Sequence, residues 1–188
     1  MRRTPETIYD EWLVLRAQDE DAEALRILTL RWHGRLVRHA IHLTGNRDAA
    51  SDVAQESWLA IVKGLRKLND PARFPAWAFR IVSNKSADWV RTRVRDRPDQ
   101  PPKPPEPSRD ASSQSQLEHH EDIVQLRRAL RELSAEHRAA LSLHYLDGLS
   151  ILEIAESLNI PPGTVKSRLH HARSRLRDTI ERNTHEQV

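Results

Sequence analysis

Between Thr164 and Arg177 the chain places five lysines and arginines and no carboxylate. Positive side chains at that density neutralise a phosphate backbone, so this stretch is a candidate nucleic-acid surface. Val165, Leu169, Ala172, Leu176 and Ile180 recur within it at helical spacing and read as a buried stripe. Thr164, Lys166, Ser167, Arg168, His170, His171, Arg173 and Arg175 are then left for solvent or DNA. Lys166 can donate to guanine acceptors and Ser167 to several bases, whereas Arg168, Arg173 and Arg175 suit phosphate, which sets register without reading sequence.

Two further constellations lie earlier in the chain. Asp52 and Glu56 stand one turn apart near an expected helix start and form, with Gln55, an acidic and polar patch that a DNA surface would avoid. A protein partner is one reading of that patch. Compensation of the helix dipole, at roughly 0.3 to 1 kcal/mol per carboxylate, is the other. Farther on, Arg80, Asn84 and Arg91 share a helix face, with Lys85 beside them and the turn Asn69-Asp70-Pro71 leading to Arg73. A protein that opens DNA would need amide and cationic groups of this kind to hold unstacked bases and a strand. Trp77, Phe79 and Trp89 could stack on bases, but their helical spacing assigns Trp77 and Trp89 to packing.

Parts of an enzyme are not found. The 10 histidines include no His-Glu-x-x-His helix, and there is neither a phosphate-cradling glycine loop nor a cysteine nucleophile. His119-His120-Glu121-Asp122 reads as a polar linker end rather than a metal site. No catalytic residue, cofactor or metal is expected.

The elements that must position these residues are helices. Glycine is scarce, at 5 residues, and apolar positions recur at three and four. Trp12, Leu15, Leu25, Leu28, Trp32, Leu36, Val37, Ala40 and Ile41 trace stripes on two successive helices that Gly45-Asn46 interrupts. Asp48 is placed to cap a third helix carrying Val53, Ala54, Trp58, Ile61, Val62 and Leu65, and a fourth runs from about Ala72 to Arg95. In the second half Ser134 caps a helix ending near Asp147-Gly148. Ser150 and Glu153 then form a capping box that opens a short helix, which stops at Asn159-Ile160-Pro161. A longer helix starts near Pro162-Gly163-Thr164, so the plan is helix-turn-helix, whose last helix enters the major groove.

Six of the eleven prolines fall between Pro98 and Pro107, followed by a polar run to Gln116. Proline fixes extended backbone and removes amide donors, so this stretch separates two lobes as a flexible linker. About 20 residues extended at about 3.1 Å each reach about 60 Å. The expected architecture is all-α, with a four-helix lobe over 1–97, a tether over 98–117 and a helix-turn-helix lobe over 118–188. The 30 Lys+Arg against 27 Asp+Glu leave a net +3, so clustering matters more than total charge. With no cysteine, no apolar run of membrane-spanning length and no secretory signal pattern, the expected location is the cytoplasm, without membrane insertion.

Both lobes resemble, in order, the extracytoplasmic-function (ECF) sigma factors of bacterial RNA polymerase. The second lobe carries the resemblance through Leu133-Ser134, Asp147-Gly148-Leu149-Ser150, Glu153-Ile154-Ala155, Leu158 and Gly163-Thr164-Val165-Lys166-Ser167-Arg168-Leu169. The first carries it through Leu43-Thr44-Gly45, Asp52-Val53-Ala54-Gln55-Glu56-Ser57-Trp58 and the run Phe74 to Asn84. The resemblance implies that Asp52, Gln55 and Glu56 meet the clamp helices of the polymerase's largest subunit, and that the second lobe meets its flap. It implies that Asn69, Asp70, Arg73, Arg80, Asn84, Lys85 and Arg91 read and help melt the downstream promoter element. The upstream duplex is then read by Lys166, Ser167, His170 and His171. An anti-sigma protein is the implied regulator. A conventional helix-turn-helix regulator, binding duplex DNA without polymerase, is the alternative.

Overall fold

The computed structural model describes residues 4–96, 126 and 129–185. The expected tether, Arg97 and the His119-His120 pair lie outside them. All regular structure among the described residues is helical.

The first lobe is built from α1 (Pro5–Gln18), α2 (Ala22–Thr44), α3 (Arg47–Gly64) and α4 (Phe74–Asp96), with 3₁₀ turns at Leu65–Lys67 and Pro71–Arg73 before α4. Each start has a local cause. Thr4 caps α1 with Pro5 in its first turn, and the Asp21 carboxylate accepts from the amides of Glu23 and Ala24 to open α2. Gly45 takes the left-handed conformation, φ 66°, that ends α2 at least cost. The cap of α3 is Asn46, whose side chain accepts from Ala49 N–H at 2.8 Å. Asp48, expected as that cap, sits instead in the first turn, because the chain leaves Gly45 directly into extended geometry at Asn46.

The core of this lobe centres on Trp32. Its ring meets Phe74 edge-on at 5.1 Å and Phe79 at 5.8 Å, and its N–H donates to Asp10 of α1 at 3.1 Å. Leu13, Leu28, Leu36, Ile61 and Val82 close around it with no exposure. Burial of each such side chain stabilises by about 1.5–3 kcal/mol. Some of the expected stripe is outside this core: Trp12 and Leu15 are half exposed, and Val62 is exposed on α3.

The second lobe contains α5 (Ala135–Leu141), a π-helical turn at Ser142–Leu146, α6 (Ile151–Leu158) and α7 (Pro162–His185). Helical residues 129–132 precede α5. Ser134 caps α5, and the Ser150/Glu153 capping box opens α6 with both reciprocal bonds made. Asn159 ends α6 in the left-handed conformation, φ 54°, and Pro162 opens α7 after a turn of a few residues. Val165, Leu169 and Ala172 of α7 join Leu143, Leu149 and Ile154 in the buried core. The two lobes pack against each other along α4 and α6.

Candidate nucleic-acid and polymerase interface

On α7 the buried stripe leaves Lys166, Ser167, His170, His171, Arg173 and Arg175 exposed, in the arrangement their spacing implies. Two members of the expected set are less free. Thr164 is half-buried, and Arg168 pairs with Glu136 at 2.7 Å with 19% of its side chain exposed. The Ser167 hydroxyl donates to the Thr164 carbonyl at 3.0 Å, a bond it can exchange by rotation. His137, which spacing did not single out, brings its ring within 6.5 Å of His171, and the His171 ring lies 5.6 Å from that of His170. Burial, and then Arg168 and Arg175 nearby, hold the His137 imidazole below its ordinary pKa.

On α3, Asp52, Gln55 and Glu56 are exposed together. Leu59, 59% exposed, and Val62 continue the same face. Val62 carries the period of the stripe expected to be buried, whereas Leu59 stands off that stripe, seven positions after Asp52. Glu56 accepts from Lys85 of α4 at 3.0 Å, so Lys85 is turned toward this patch.

The turn before α4 is held from α1. Gln18 Nε2 donates to the carbonyls of Leu65 and Leu68 at 2.9 and 2.7 Å, and Asp70 caps the second 3₁₀ turn through Ala72 N–H. Asn69, Asp70 and Arg73 line a cleft of about 240 Å³ whose floor includes Leu68 and Trp77. Arg80, Asn84 and Arg91 are exposed on α4, with Arg91 paired to Asp88. Phe79 is fully buried and Trp77 and Trp89 pack against the core, so these rings support α4 rather than offer a stacking platform.

No group of histidines and carboxylates among the described residues is arranged to hold a metal ion. No helix among them is long and apolar enough to cross a membrane.

Fold and site together define a two-lobed protein, helical throughout its described residues, with a helix-turn-helix in its second lobe. Residues 28–96 match the family model for sigma-70 region 2, and residues 123–176 match that for sigma-70 region 4. The chain is 36% identical over 147 residues to the ECF RNA polymerase sigma factor SigL of Mycobacterium tuberculosis, covering 78% of this chain and 82% of SigL. It is 34% identical over 154 residues to the ECF sigma factor SigE of Mycolicibacterium smegmatis, covering 81% of this chain but 60% of that longer relative. Among solved structures it is similar to the sigma factor RpoE of Bartonella quintana in complex with the anti-sigma factor NepR, with a TM-score of 0.66 and 25% identity, covering 83% of this chain and 96% of RpoE. The chain belongs to the ECF sigma factor family, and its role is that of an RNA polymerase sigma factor in transcription initiation. The conventional regulator is not favoured, because the matches take in the first lobe as well as the helix-turn-helix.

Proposed function

We propose a division of labour between the lobes. Residues 1–97 bind core polymerase and read and melt the downstream promoter element, 98–117 tether the lobes, and 118–188 read the upstream element. Asp52, Gln55 and Glu56, extended by the exposed Leu59 and Val62, meet the clamp helices of the largest subunit. Charged groups around an apolar centre suit a protein partner better than DNA. Asn69, Asp70, Arg73, Arg80, Asn84, Lys85 and Arg91 serve the downstream strand, with Asn84 the principal base reader and the arginines on phosphate. Lys166, Ser167, His170 and His171 read the upstream duplex, with Thr164 beside them and Arg168, Arg173 and Arg175 on its backbone. The second lobe also meets the polymerase flap. The chain acts in the cytoplasm and leaves catalysis to polymerase. An anti-sigma protein restrains it, a reading supported by the similarity to RpoE in its complex with NepR.

The observation that carries this reading is the α7 face. Lys166, His170 and Arg173 stand exposed on an acid-free stretch while Val165, Leu169 and Ala172 bury beneath them. Capture of purified core polymerase on the immobilised chain tests the other half. The native chain retains core and the Asp52→Ala/Glu56→Ala variant loses most of it; equal retention by both would remove the α3 patch from the interface.

A further inference from the structure

We propose that His137, on α5, joins His170 and His171 of α7 in the upstream-duplex surface, and that this histidine cluster takes up protons as it meets the DNA backbone. The inference rests on the reading of α7 as the upstream reader and extends that surface to a second helix.

Three imidazoles meet where α5 packs on α7. The His137 ring lies 6.5 Å from that of His171, edge to face, and the His171 ring lies 5.6 Å from that of His170 in the same manner. His170 and His171 are exposed and His137 is half-buried. The Ser134 hydroxyl stands 2.8 Å from His137 Nδ1, which orients the ring and leaves Nε2 for another partner. Arg168, His171 and Arg175 recur at three and four along one edge of α7, so a strand held by the two arginines runs past His171 and reaches His137. The charged groups facing His137 are Glu136 on its own helix, already paired with Arg168 at 2.7 Å, and Arg168, Arg175 and His171 on α7. On the side of α5 that packs against α2, His42 lies beside Arg138 and takes no part in the cluster.

In the free chain the cluster is kept short of protons. Burial, and then Arg168 and Arg175, hold the His137 imidazole below its ordinary pKa, and a proton gained by His171 disfavours one on His137. Phosphates reverse that balance. They neutralise the arginines, and an imidazolium donates to a phosphate oxygen a charge-assisted bond that a neutral ring makes more weakly. The complex therefore binds more protons than the free chain, so affinity for duplex rises as pH falls. Lysines and arginines keep their charge from about pH 6 to about pH 8, and a remote histidine is screened beyond about 8 Å at physiological salt. His39 and His42, buried in the first lobe with pKa values pushed down to about 3 and about 4, act in the opposite sense, since low pH favours the unfolded chain that binds their protons.

The test is fluorescence-anisotropy binding of the full chain to a labelled mixed-sequence duplex, on which phosphate contacts dominate, at constant salt. The native chain should bind about tenfold more tightly at about pH 6 than at about pH 8, each proton taken up contributing at most a factor of about ten per pH unit. His137→Gln should cut that ratio to about threefold by losing affinity at about pH 6, and His137→Lys, charged at both pH values, should cut it by gaining affinity at about pH 8. His33→Gln, at an exposed position on α2 of the first lobe, should leave the ratio unchanged. The His137 imidazole resonances of the native chain, titrated with and without duplex, give a second readout that needs no variant: the pKa should rise in the complex. A native ratio near one, a ratio untouched by both His137 variants, or an unshifted His137 titration overturns the inference while leaving duplex binding by α7 in place. Absence of duplex binding at either pH overturns the reading beneath it as well.

Discussion

The Nε2 of His39 lies 2.9 Å from the hydroxyl of Ser83, joining α2 to α4 inside the first lobe. Burial above all, then His42 and Arg38 nearby, push the His39 pKa down to about 3. His42, a turn away, is lowered to about 4 by burial and then by Arg138 and Arg38. Both imidazoles are held neutral in the folded protein, while the unfolded chain binds their protons near the ordinary value of about 6.5. Stability is therefore complete above about pH 6.5 and falls as pH drops below it, by roughly 1.4 kcal/mol per pH unit for each histidine, until the folded form also protonates. Urea unfolding at about pH 7.5 and about pH 5.5 measures the slope. His39→Gln should reduce it by about one proton; an unchanged slope would contradict the assignment.

Asp10 is a second buried junction. Its two oxygens accept from Arg31 at 2.7 Å and from the Trp32 N–H at 3.1 Å, tying α1 to α2. Asp10→Ala leaves the Trp32 N–H unpaired at the centre of the aromatic cluster. The expected cost is about 3 kcal/mol, read as a lower urea midpoint with the same m-value. A change under about 0.5 kcal/mol would mean that the indole finds another acceptor.

The capping box of α6 positions the whole helix-turn-helix. Ser150 and Glu153 satisfy each other's backbone N–H groups, with the Ser150 N–H to Glu153 carboxylate bond at 2.7 Å. Ser150→Ala should cost about 1 kcal/mol, and Ser150→Gly only a few tenths. Thermal unfolding of the three chains checks the order. Equal loss in both variants would point to packing of the serine rather than to the cap.

On α7 the proposed base readers and phosphate anchors should respond differently to substitution. Arg173→Ala should weaken duplex binding by a similar factor on every sequence and lower the salt slope of log affinity by about one. Lys166→Ala should cost about 1–3 kcal/mol on a promoter duplex and little on an unrelated one. Anisotropy titrations across a range of salt distinguish these behaviours. A Lys166→Ala loss that is equal on both duplexes would make Lys166 a phosphate contact.

Local chemistry was legible in the sequence and long-range pairing was not. The Ser150/Glu153 box, the Gly45 break and the Val165/Leu169/Ala172 stripe were readable because a cap or a helical period acts within a few residues. The cap of α3 was misplaced by two residues, because Asp48 and Asn46 are both good caps and only the backbone leaving Gly45 chooses between them. Trp12 and Leu15 carry the right period for burial, but the neighbours that would have to cover them are absent on that side of α1 among the described residues. Arg35 meets Asp147 across 112 positions of chain, and Arg73 meets Glu156 across 83. No spacing rule reaches so far. The sequence showed candidate phosphate ligands such as Arg73 and Arg168, and the fold shows that carboxylates of the same chain already hold both.

Run-off transcription with purified core polymerase on a library of promoter-length duplexes tests the central claim most directly. The native chain should direct initiation from a specific subset, with Asp52→Ala/Glu56→Ala losing transcripts through weaker core binding and Lys166→Ala losing them through weaker promoter choice. Tight duplex binding by the native chain without any specific transcript would contradict the account.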